Sequence, residues 1–413
     1  MKYTGILILV IAANAAEERH GSVQELIVQA LRNNPEVIAA QKNYEAARQR
    51  PTQLSSLPDP TLSLGYASVG NPLPGAGLGN QVLANIGVIA SQEIPFPGKL
   101  KLQGEMGAKD AEGAFEQYQA VQLDVISRLK QAYHSLHHAY AMSGVLLRNR
   151  DLLNRLLEVT EARYAVGKAA QQDLFKAQTQ ISILETRLVK WDQERRSREA
   201  EINTLAGRPA GSPLETPEDE ELPELTVTVD ELFAAARQNS PLLRRDQKMI
   251  ERSELAVNLA RKEYYPDVTL NAGYFNMGSM PPMFEVRADF KIPLYYWRKQ
   301  RAGVNEQVSS LSQTRRGYEA TGQALRLKIT DDYLLAQAAA RLMKLYRETV
   351  APQSGLALES SLAAYEAGTV DFLSVLTNLG TVLEYEMNYH EEEFNYSQAL
   401  SRLEELTGKV LTD

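Results

Sequence analysis

The sequence contains one unit twice, and this repeat limits the folds that the chain can adopt. Five short segments of the first half return in the same order in the second half, at offsets of 198–208 residues. The pairs are residues 30–35 with 236–241, 62–66 with 270–274, 94–96 with 292–294, 164–167 with 365–368, and 205–207 with 406–408. A repeated unit of about 200 residues predicts two copies of one structure rather than several unrelated domains.

The two repeats are predicted at residues 17–207 and 230–413, after an N-terminal segment for export. Residues 1–16 combine a positive start, a short apolar core and an Ala-x-Ala site, which is typical of a signal peptide. Residues 208–229 carry four prolines and the acidic run 218–221, so this segment is predicted to be a solvated linker without helix.

Each repeat is predicted to form a helix, two strands, a very long helix and a returning helix. A capping box at Ser22 starts the first helix, which is expected to continue to about Leu54. Its counterpart is expected to start near Asp230 and to end before Pro266. The other predicted elements of the first repeat are strands 61–69 and 82–94, the long helix 99–164 and the helix 171–206. Those of the second repeat are strands 267–275 and 284–292, the long helix 299–365 and the helix 371–408.

The long helices have apolar residues at heptad spacing, which predicts packing of the coiled-coil type. The predicted seams are Ile126, Tyr133, Tyr140 and Leu147, interleaved with Leu129 and Leu136, and then Ile329, Ala336, Met343 and Val350. Pro352 is expected to kink the second long helix. Gly167 and Gly368 suit the left-handed position after a helix, so each long helix is predicted to turn back there.

The four strands alternate apolar and polar residues and are about 9–11 residues long, the span of a tilted membrane strand. On the fourth strand, Glu285, Arg287, Asp289 and Lys291 share one face. A water-soluble sheet with one buried face gives the same alternation. No other predicted element covers the apolar face. This lack of cover favours a sheet that faces lipid over a water-soluble sheet. Four strands cannot close a barrel alone, so closure needs several chains, and three copies give twelve strands around a polar lumen.

Composition narrows the function classes. No apolar run reaches the roughly 18 residues of a transmembrane helix. A formal net charge of −8 disfavours a nucleic-acid partner, because phosphate contacts need a basic face. The absence of cysteine excludes disulfides, thiolate metal sites and a lipidated N-terminal cysteine. No catalytic motif and no cofactor motif is present, so an enzyme is not expected.

With these features, the chain resembles the TolC-type outer-membrane efflux protein family over nearly all of its mature length. The motifs that carry the resemblance are Pro58-Asp59-Pro60, the segment Ser91-Gln92-Glu93-Ile94-Pro95-Phe96-Pro97-Gly98-Lys99 and the paired Tyr-x-x-Gly turns. The form Ile-Pro-Phe-Pro-Gly-Lys is most similar to heavy-metal-efflux members, which serve copper or cobalt–zinc–cadmium exporters.

The resemblance implies a fold, a location and partners. The fold class is mainly α with a small β part, in which a homotrimer forms a 12-stranded β-barrel in the outer membrane of a Gram-negative bacterium and an α-barrel in the periplasm. The channel is expected to contact outer-membrane lipid, a periplasmic adaptor and an inner-membrane pump, and no nucleic acid. It implies adaptor contacts at Tyr164, Gly167, Tyr365 and Gly368.

The resemblance also implies a periplasmic gate that contains Asp173 and Tyr365. Val370 stands where a gating arginine is expected, and Ser374 and Thr377 stand where acids are expected. The closing network of this chain is therefore expected to differ from that of its relatives.

Two sets of residues could bind metal. Met277, Met280 and Met283 lie in a predicted external loop at 276–283, and their thioethers suit Cu(I) or apolar packing at the membrane rim. His134, His137 and His138 lie within about one helical turn, and they suit metal ligation or, more simply, packing between helices.

The sequence therefore predicts the exit duct of a tripartite efflux system, exporting heavy-metal ions such as copper. A drug-efflux or type I secretion duct of the same fold is an alternative. A soluble periplasmic coiled-coil scaffold or adaptor is a further one, although it leaves the alternating strands unexplained.

Overall fold

The computed structural model describes residues 22–217 and 222–411. The predicted signal peptide, residues 1–16, and the acidic run of the linker lie outside these ranges. Within the described ranges, no helix combines the length and the apolar character needed to cross a membrane.

The chain divides into two compact units. Of the described residues, the first unit, called the helical unit, comprises 22–37, 122–217, 222–236 and 328–411. The second, called the sheet unit, comprises Ile38–Val121 and Arg237–Leu327.

Helices form most of the described chain. In order they are α1 (Val23–Asn33), α2 (Pro35–Ala47), α3 (Arg50–Ser55), α4 (Lys99–Ala165), α5 (Gln171–Leu205), α6 (Val229–Asn239), α7 (Pro241–Lys262), α8 (Lys299–Leu345), α9 (Ala351–Ala367) and α10 (Phe372–Thr407). A π-helical turn, Tyr346–Val350, connects α8 to α9.

The sheet unit contains one antiparallel sheet, in which the four strands follow the order β1-β2-β3-β4. The strands are β1 (Thr61–Ala67), β2 (Asn85–Ile94), β3 (Asp267–Met277) and β4 (Met280–Lys291). Strands β2 and β3 pair from Ile86 opposite Asn276 to Ile94 opposite Val268, so the central pairing joins the two halves of the sequence. The predicted fold class, mainly α with a small β part, is confirmed.

The first helix of each half is broken by a proline, and the prediction of a continuous helix from Ser22 to Leu54 was wrong. Asn34 and Ser240 adopt extended backbone conformations, with ψ of 125° and 117°, before Pro35 and Pro241. Proline disfavours helical backbone in the residue before it, and its ring is well placed at the start of the next helix. The side chain of Asn34 also accepts a hydrogen bond from the backbone N–H of Glu36 (2.8 Å), which caps α2.

The buried seam of α4 is displaced from the predicted one. Leu129, Leu136 and Tyr133 are buried as expected, but Leu147 is 40% exposed. A further heptad series is buried at Val125, Ala132, Ala139, Leu146 and Leu153. Alanines occupy two of these five positions, so the size of the apolar side chains did not indicate the seam. In α8, the predicted Ile329 and Ala336 are both fully buried.

The second long helix departs from α-helical geometry just before Pro352. The π-helical turn ends at Val350, and Pro352 then occupies the first turn of α9. Proline cannot donate a backbone hydrogen bond, and a π-turn is one way for a helix to continue past such an interruption. The expected kink at Pro352 thus coincides with a break in the α-helical hydrogen bonding.

Candidate channel lining and helical tips

The sheet presents an apolar face that remains exposed in the protomer. Val286 on β4 is 88% exposed and Leu64 on β1 is 80% exposed. Other largely exposed apolar side chains of the two strands are Leu62, Tyr66, Phe284 and Phe290. A face of this kind is stable only where lipid or another chain covers it.

The opposite face of β4 carries a connected row of charges. The guanidinium of Arg287 lies between two carboxylates, with Nη1 3.3 Å from Glu285 Oε1 and Nε 3.0 Å from Asp289 Oδ1. The Asn271 amide of β3 donates to Asp289 Oδ2 (2.8 Å), and Ser91 of β2 donates to Asn271 Oδ1 (2.6 Å). Three of the four predicted charged residues, Glu285, Arg287 and Asp289, thus belong to a polar network across three strands, which also contains Ser91 and Asn271.

The predicted tight turns between helices have the expected backbone geometry. Gly167 and Gly368 have φ values of 73° and 82°, in the left-handed region that favours glycine. In the first turn, Gly167 N–H donates to Tyr164 O and Lys168 N–H donates to Arg163 O. Gly368 and Thr369 repeat this pattern in the second turn. We call residues 164–170 the first tip and residues 365–371 the second tip.

The two tyrosines of the tips have different environments. Tyr164 is 44% exposed, beside the 67% exposed Val166, so the first tip offers an apolar surface. Tyr365 is only 3% exposed and packs against Phe372, with ring centroids 6.0 Å apart. The side chain of Tyr365 is therefore not at the protomer surface, where the resemblance placed an adaptor contact.

The predicted gate residues Asp173 and Tyr365 make no hydrogen bond to each other within the described protomer, and their role in a gate stays a prediction. Asp173 lies in the first turn of α5, and the Tyr365 hydroxyl donates instead to Thr160 Oγ1 (3.2 Å). Arg163, a residue that sequence reasoning missed, lies 4.6 Å from the centroid of the Tyr365 ring. Its one sequence signal is a basic residue in the last turn of a helix, where a cation is favoured.

The methionine-containing segment is a tight strand connection, and the prediction of a loop over 276–283 was wrong. Met277 ends β3 and Met280 begins β4, and these two residues face each other in register. Gly278 has a φ of 76° and Ser279 completes the turn. Met283 pairs with Phe275 on β3, and the register of the two strands shifts between this pair and the pair of Met277 with Met280. The strand pairing places Met277 beside Met280, and metal binding by the three methionines stays a prediction.

The histidines of α4 lie among packed helices. The ring of His138 stacks on Phe394 at 4.7 Å between centroids and meets Trp191 edge-on at 5.2 Å. Burial lowers the pKa of His134 and that of His138 to about 4, so both imidazoles are neutral at physiological pH. Residues 22–217 and 222–411 contain no group of three histidine or carboxylate side chains placed to hold a metal ion. These features favour the packing interpretation.

The sequence model of the outer membrane efflux protein family matches the chain over residues 26–208 and 232–409. The chain belongs to the outer membrane efflux protein family. The first matched range extends one residue beyond the first predicted repeat, 17–207, and the second lies within the second predicted repeat, 230–413.

Relatives of this efflux protein cover most of its length. It is 24% identical to the outer membrane protein TolC of Vibrio cholerae, over 94% of this chain and 91% of that protein. It is 22% identical to the cobalt-zinc-cadmium resistance protein CzcC of Cupriavidus metallidurans, over 78% of this chain and 77% of that protein. A solved structure of CusC has a TM-score of 0.78 at 18% identity, covering 94% of this chain and 92% of that one.

These likenesses identify the protomer fold as that of an outer-membrane efflux channel, with strands for a β-barrel and helices for an α-barrel. The efflux protein is therefore located in the outer membrane and extends into the periplasm.

Proposed function

We propose that this efflux protein is the passive exit duct of a tripartite efflux system and that it exports heavy-metal cations such as copper. The observation that supports a duct is the two-sided sheet, which has an exposed apolar face and a connected polar network on the other face. Lipid suits the first face and a water-filled lumen suits the second.

The duct closes as a homotrimer in this proposal. Strands β1 and β4 form the two edges of the four-stranded sheet. An open edge is not tolerated in hydrocarbon, because its backbone groups lose water without gaining partners. Pairing β4 of one copy with β1 of the next removes every edge when three copies close a ring. Chemical cross-linking and heat-sensitive trimer migration on gels test this step.

An adaptor contacts the tips in this proposal, and the inner-membrane pump supplies the energy. The exposed Val166 and Tyr164 provide an apolar contact on the first tip. Gly167 and Gly368 give both turns their left-handed geometry. The buried side chain of Tyr365 supports the second tip from the interior of the protomer. Co-purification of the adaptor with wild-type protein and with Val166→Asp tests the contact, and loss of the adaptor from the variant is expected.

The choice of metal cations rests on the relatives. CzcC of Cupriavidus metallidurans is a cobalt-zinc-cadmium resistance protein, and NccC of Alcaligenes xylosoxydans is a nickel-cobalt-cadmium resistance protein. The experiment is deletion of the gene followed by growth in graded copper, cobalt, zinc and cadmium salts. Sensitivity to at least one metal, restored by the wild-type gene, is expected.

A drug-efflux or type I secretion duct is the second candidate. The match to TolC covers 94% of this chain, whereas the match to CzcC covers 78%. The longer match supports a duct that is not specialised for metal cations. A deletion strain that is sensitive to detergents and hydrophobic dyes, with unchanged metal tolerance, would select this candidate over metal export.

A further inference from the structure

The ring of Phe275 lies flat on the sheet, in a space that two glycines leave open. Phe275 belongs to β3 and pairs with Gly87 of β2, and Gly273 precedes it by two residues on β3. A Cβ added at Gly87 would lie 2.7 Å from Cε1 of the ring, and a Cβ added at Gly273 would lie 2.8 Å from Cε2. These two atoms belong to opposite edges of the ring. The ring therefore spans both glycines, with one face against the backbone and the other face turned away from the sheet.

Backbone conformation does not explain these two glycines. Neither Gly87 nor Gly273 has a positive φ, the region that favours glycine. A glycine inside a strand weakens the strand, and it often marks a site where another group approaches the backbone closely. Here that group is the ring of Phe275. A larger residue at either position would occupy the space in which the ring lies.

Phe275 is on the same face of the sheet as the charged residues of β4. Residues that pair directly across two strands share a face, and so do residues two apart along one strand. Gly273, two residues before Phe275, pairs with Glu285. On the other, apolar face, Tyr274 pairs with Phe284. The half-buried ring of Phe275 thus lies on the polar face, next to the row of charges.

The neighbouring strands carry no side chains at the level of this ring. Gly65 of β1 pairs with Gly87, so both strands have a glycine there. A Cβ at Gly65 would have no atom within 4 Å. On β4, Met283 pairs with Phe275. The position of the Phe275 ring therefore decides how far this level of the sheet projects on the polar face.

We propose that Phe275 sets the width of the lumen near its outer end, and that Gly87 and Gly273 keep the lumen wide by letting the ring lie flat. This inference rests on the proposed function, in which the polar face lines the lumen of a trimer. Strand β3 follows α7 and ends at the turn to β4, so Phe275 is near the end of the sheet that faces outside. Three copies place three rings at one level. Upright rings would narrow the lumen with apolar groups, which obstruct hydrated ions.

Conductance of the trimer in planar lipid bilayers with potassium chloride tests the proposal. Gly87→Ala is expected to lose conductance, because the new Cβ pushes the ring off the sheet and into the lumen. The double variant Gly87→Ala/Phe275→Ala is expected to regain at least the wild-type conductance, since no ring remains to be displaced. Gly65→Ala is the matched control, because it adds the same methyl group on the same row in open space within the protomer. Its conductance should equal that of wild type.

A second variant tests the other edge of the ring. Gly273→Ala places a Cβ against Cε2 instead of Cε1, and it is expected to lose conductance in the same way. It decides the question if Gly87→Ala does not assemble.

Fluorine NMR measures the position of the ring independently of conduction. The probe is 4-fluorophenylalanine in place of Phe275, and the measurement is the change in its fluorine resonance between H2O and D2O. This change grows as the ring becomes more exposed to water. It is expected to be larger in Gly87→Ala than in wild type and to be unchanged in Gly65→Ala.

The outcomes separate this proposal from the duct. An unchanged fluorine response in both Gly87→Ala and Gly273→Ala shows that the glycines do not hold the ring and overturns the proposal. A larger response with wild-type conductance overturns the role of Phe275 in setting the width, and so does a loss of conductance that persists in the double variant. If the wild-type trimer does not conduct, the duct proposal fails, while the fluorine response still decides whether the glycines hold the ring on the sheet.

Discussion

The ammonium group of Lys99 lies 2.9 Å from both carboxylate oxygens of Asp267, and this pair joins the first residue of α4 to the first residue of β3. The Lys99 side chain is only 4% exposed. The same carboxylate accepts a hydrogen bond from the backbone N–H of Phe96 (2.7 Å). One carboxylate of the second repeat therefore organises the segment of the first repeat that leads from strand to helix.

We expect Asp267→Ala to destabilise the sheet unit by about 3 kcal/mol, because removing one partner of a buried ion pair leaves the other charge without its main compensation. Glu263, 3.2 Å from Lys99, remains and limits the loss. The measurement is urea-dependent loss of helical circular dichroism in detergent. The control is Glu45→Ala, which removes the exposed pair with Lys42 and should cost less than about 0.5 kcal/mol. Equal effects of the two substitutions would contradict the prediction.

A lysine on the apolar face of β4 should prevent normal assembly in the membrane. Val286 is 88% exposed on that face, and a lysine near the bilayer midplane of a β-barrel costs about 2–4 kcal/mol. The fraction of heat-modifiable trimer in the outer membrane is expected to fall in Val286→Lys. Glu285→Lys is the control, since it places the same side chain on the polar face. If both variants assemble equally well, the assignment of the faces is wrong.

The strands and the tips could be predicted from the sequence because their signals are local. Alternation with period two located all four strands, and the left-handed glycines at 167 and 368 marked both turns. The helix breaks at Pro35 and Pro241 also have a local cause, because proline disfavours helical backbone in the residue before it. They were not predicted, because the sequence has helical periodicity on both sides of each proline.

The contacts of the tips could not be predicted from the sequence. Arg163 and Tyr365 are 202 residues apart, and each alone looks like an ordinary helix-end residue. The pairing of Met277 with Met280 across the strands was not predicted either, because the sequence was interpreted as a loop over 276–283.

Acid should destabilise the helical unit through His138. Burial, with a smaller effect of the neighbouring His390, lowers the pKa of His138 from 6.5 to about 4, although Glu393 and Glu194 act in the opposite direction. Between pH 6.5 and about pH 4, the unfolded chain therefore binds more protons than the folded chain, and the free energy of unfolding falls as the pH falls. The contribution of neutral His138 to the free energy of unfolding is complete above pH 6.5 and is lost progressively down to about pH 4. By pH 5 the loss is about 2 kcal/mol.

The measurement is the free energy of unfolding of wild type and of His138→Phe at pH 7.5 and pH 5. Phenylalanine keeps a ring against Phe394 and cannot titrate, so the difference between the two pH values is expected to shrink by about 2 kcal/mol. An undiminished pH dependence in the variant would show that other groups cause the acid sensitivity.

Gly207→Ala should destabilise the helical unit where α5 ends. Gly207 has a φ of 71°, and an added Cβ would lie 2.7 Å from both the Cβ and the backbone oxygen of Asn33. Strained backbone and a contact with fixed atoms together predict a loss of about 3 kcal/mol. Gly211→Ala is the matched control, because a Cβ there has no atom within 4 Å, and it should change stability by less than about 0.5 kcal/mol. Thermal unfolding in detergent compares the two, and a Gly207→Ala midpoint equal to that of Gly211→Ala would refute the close approach of α1 to the end of α5.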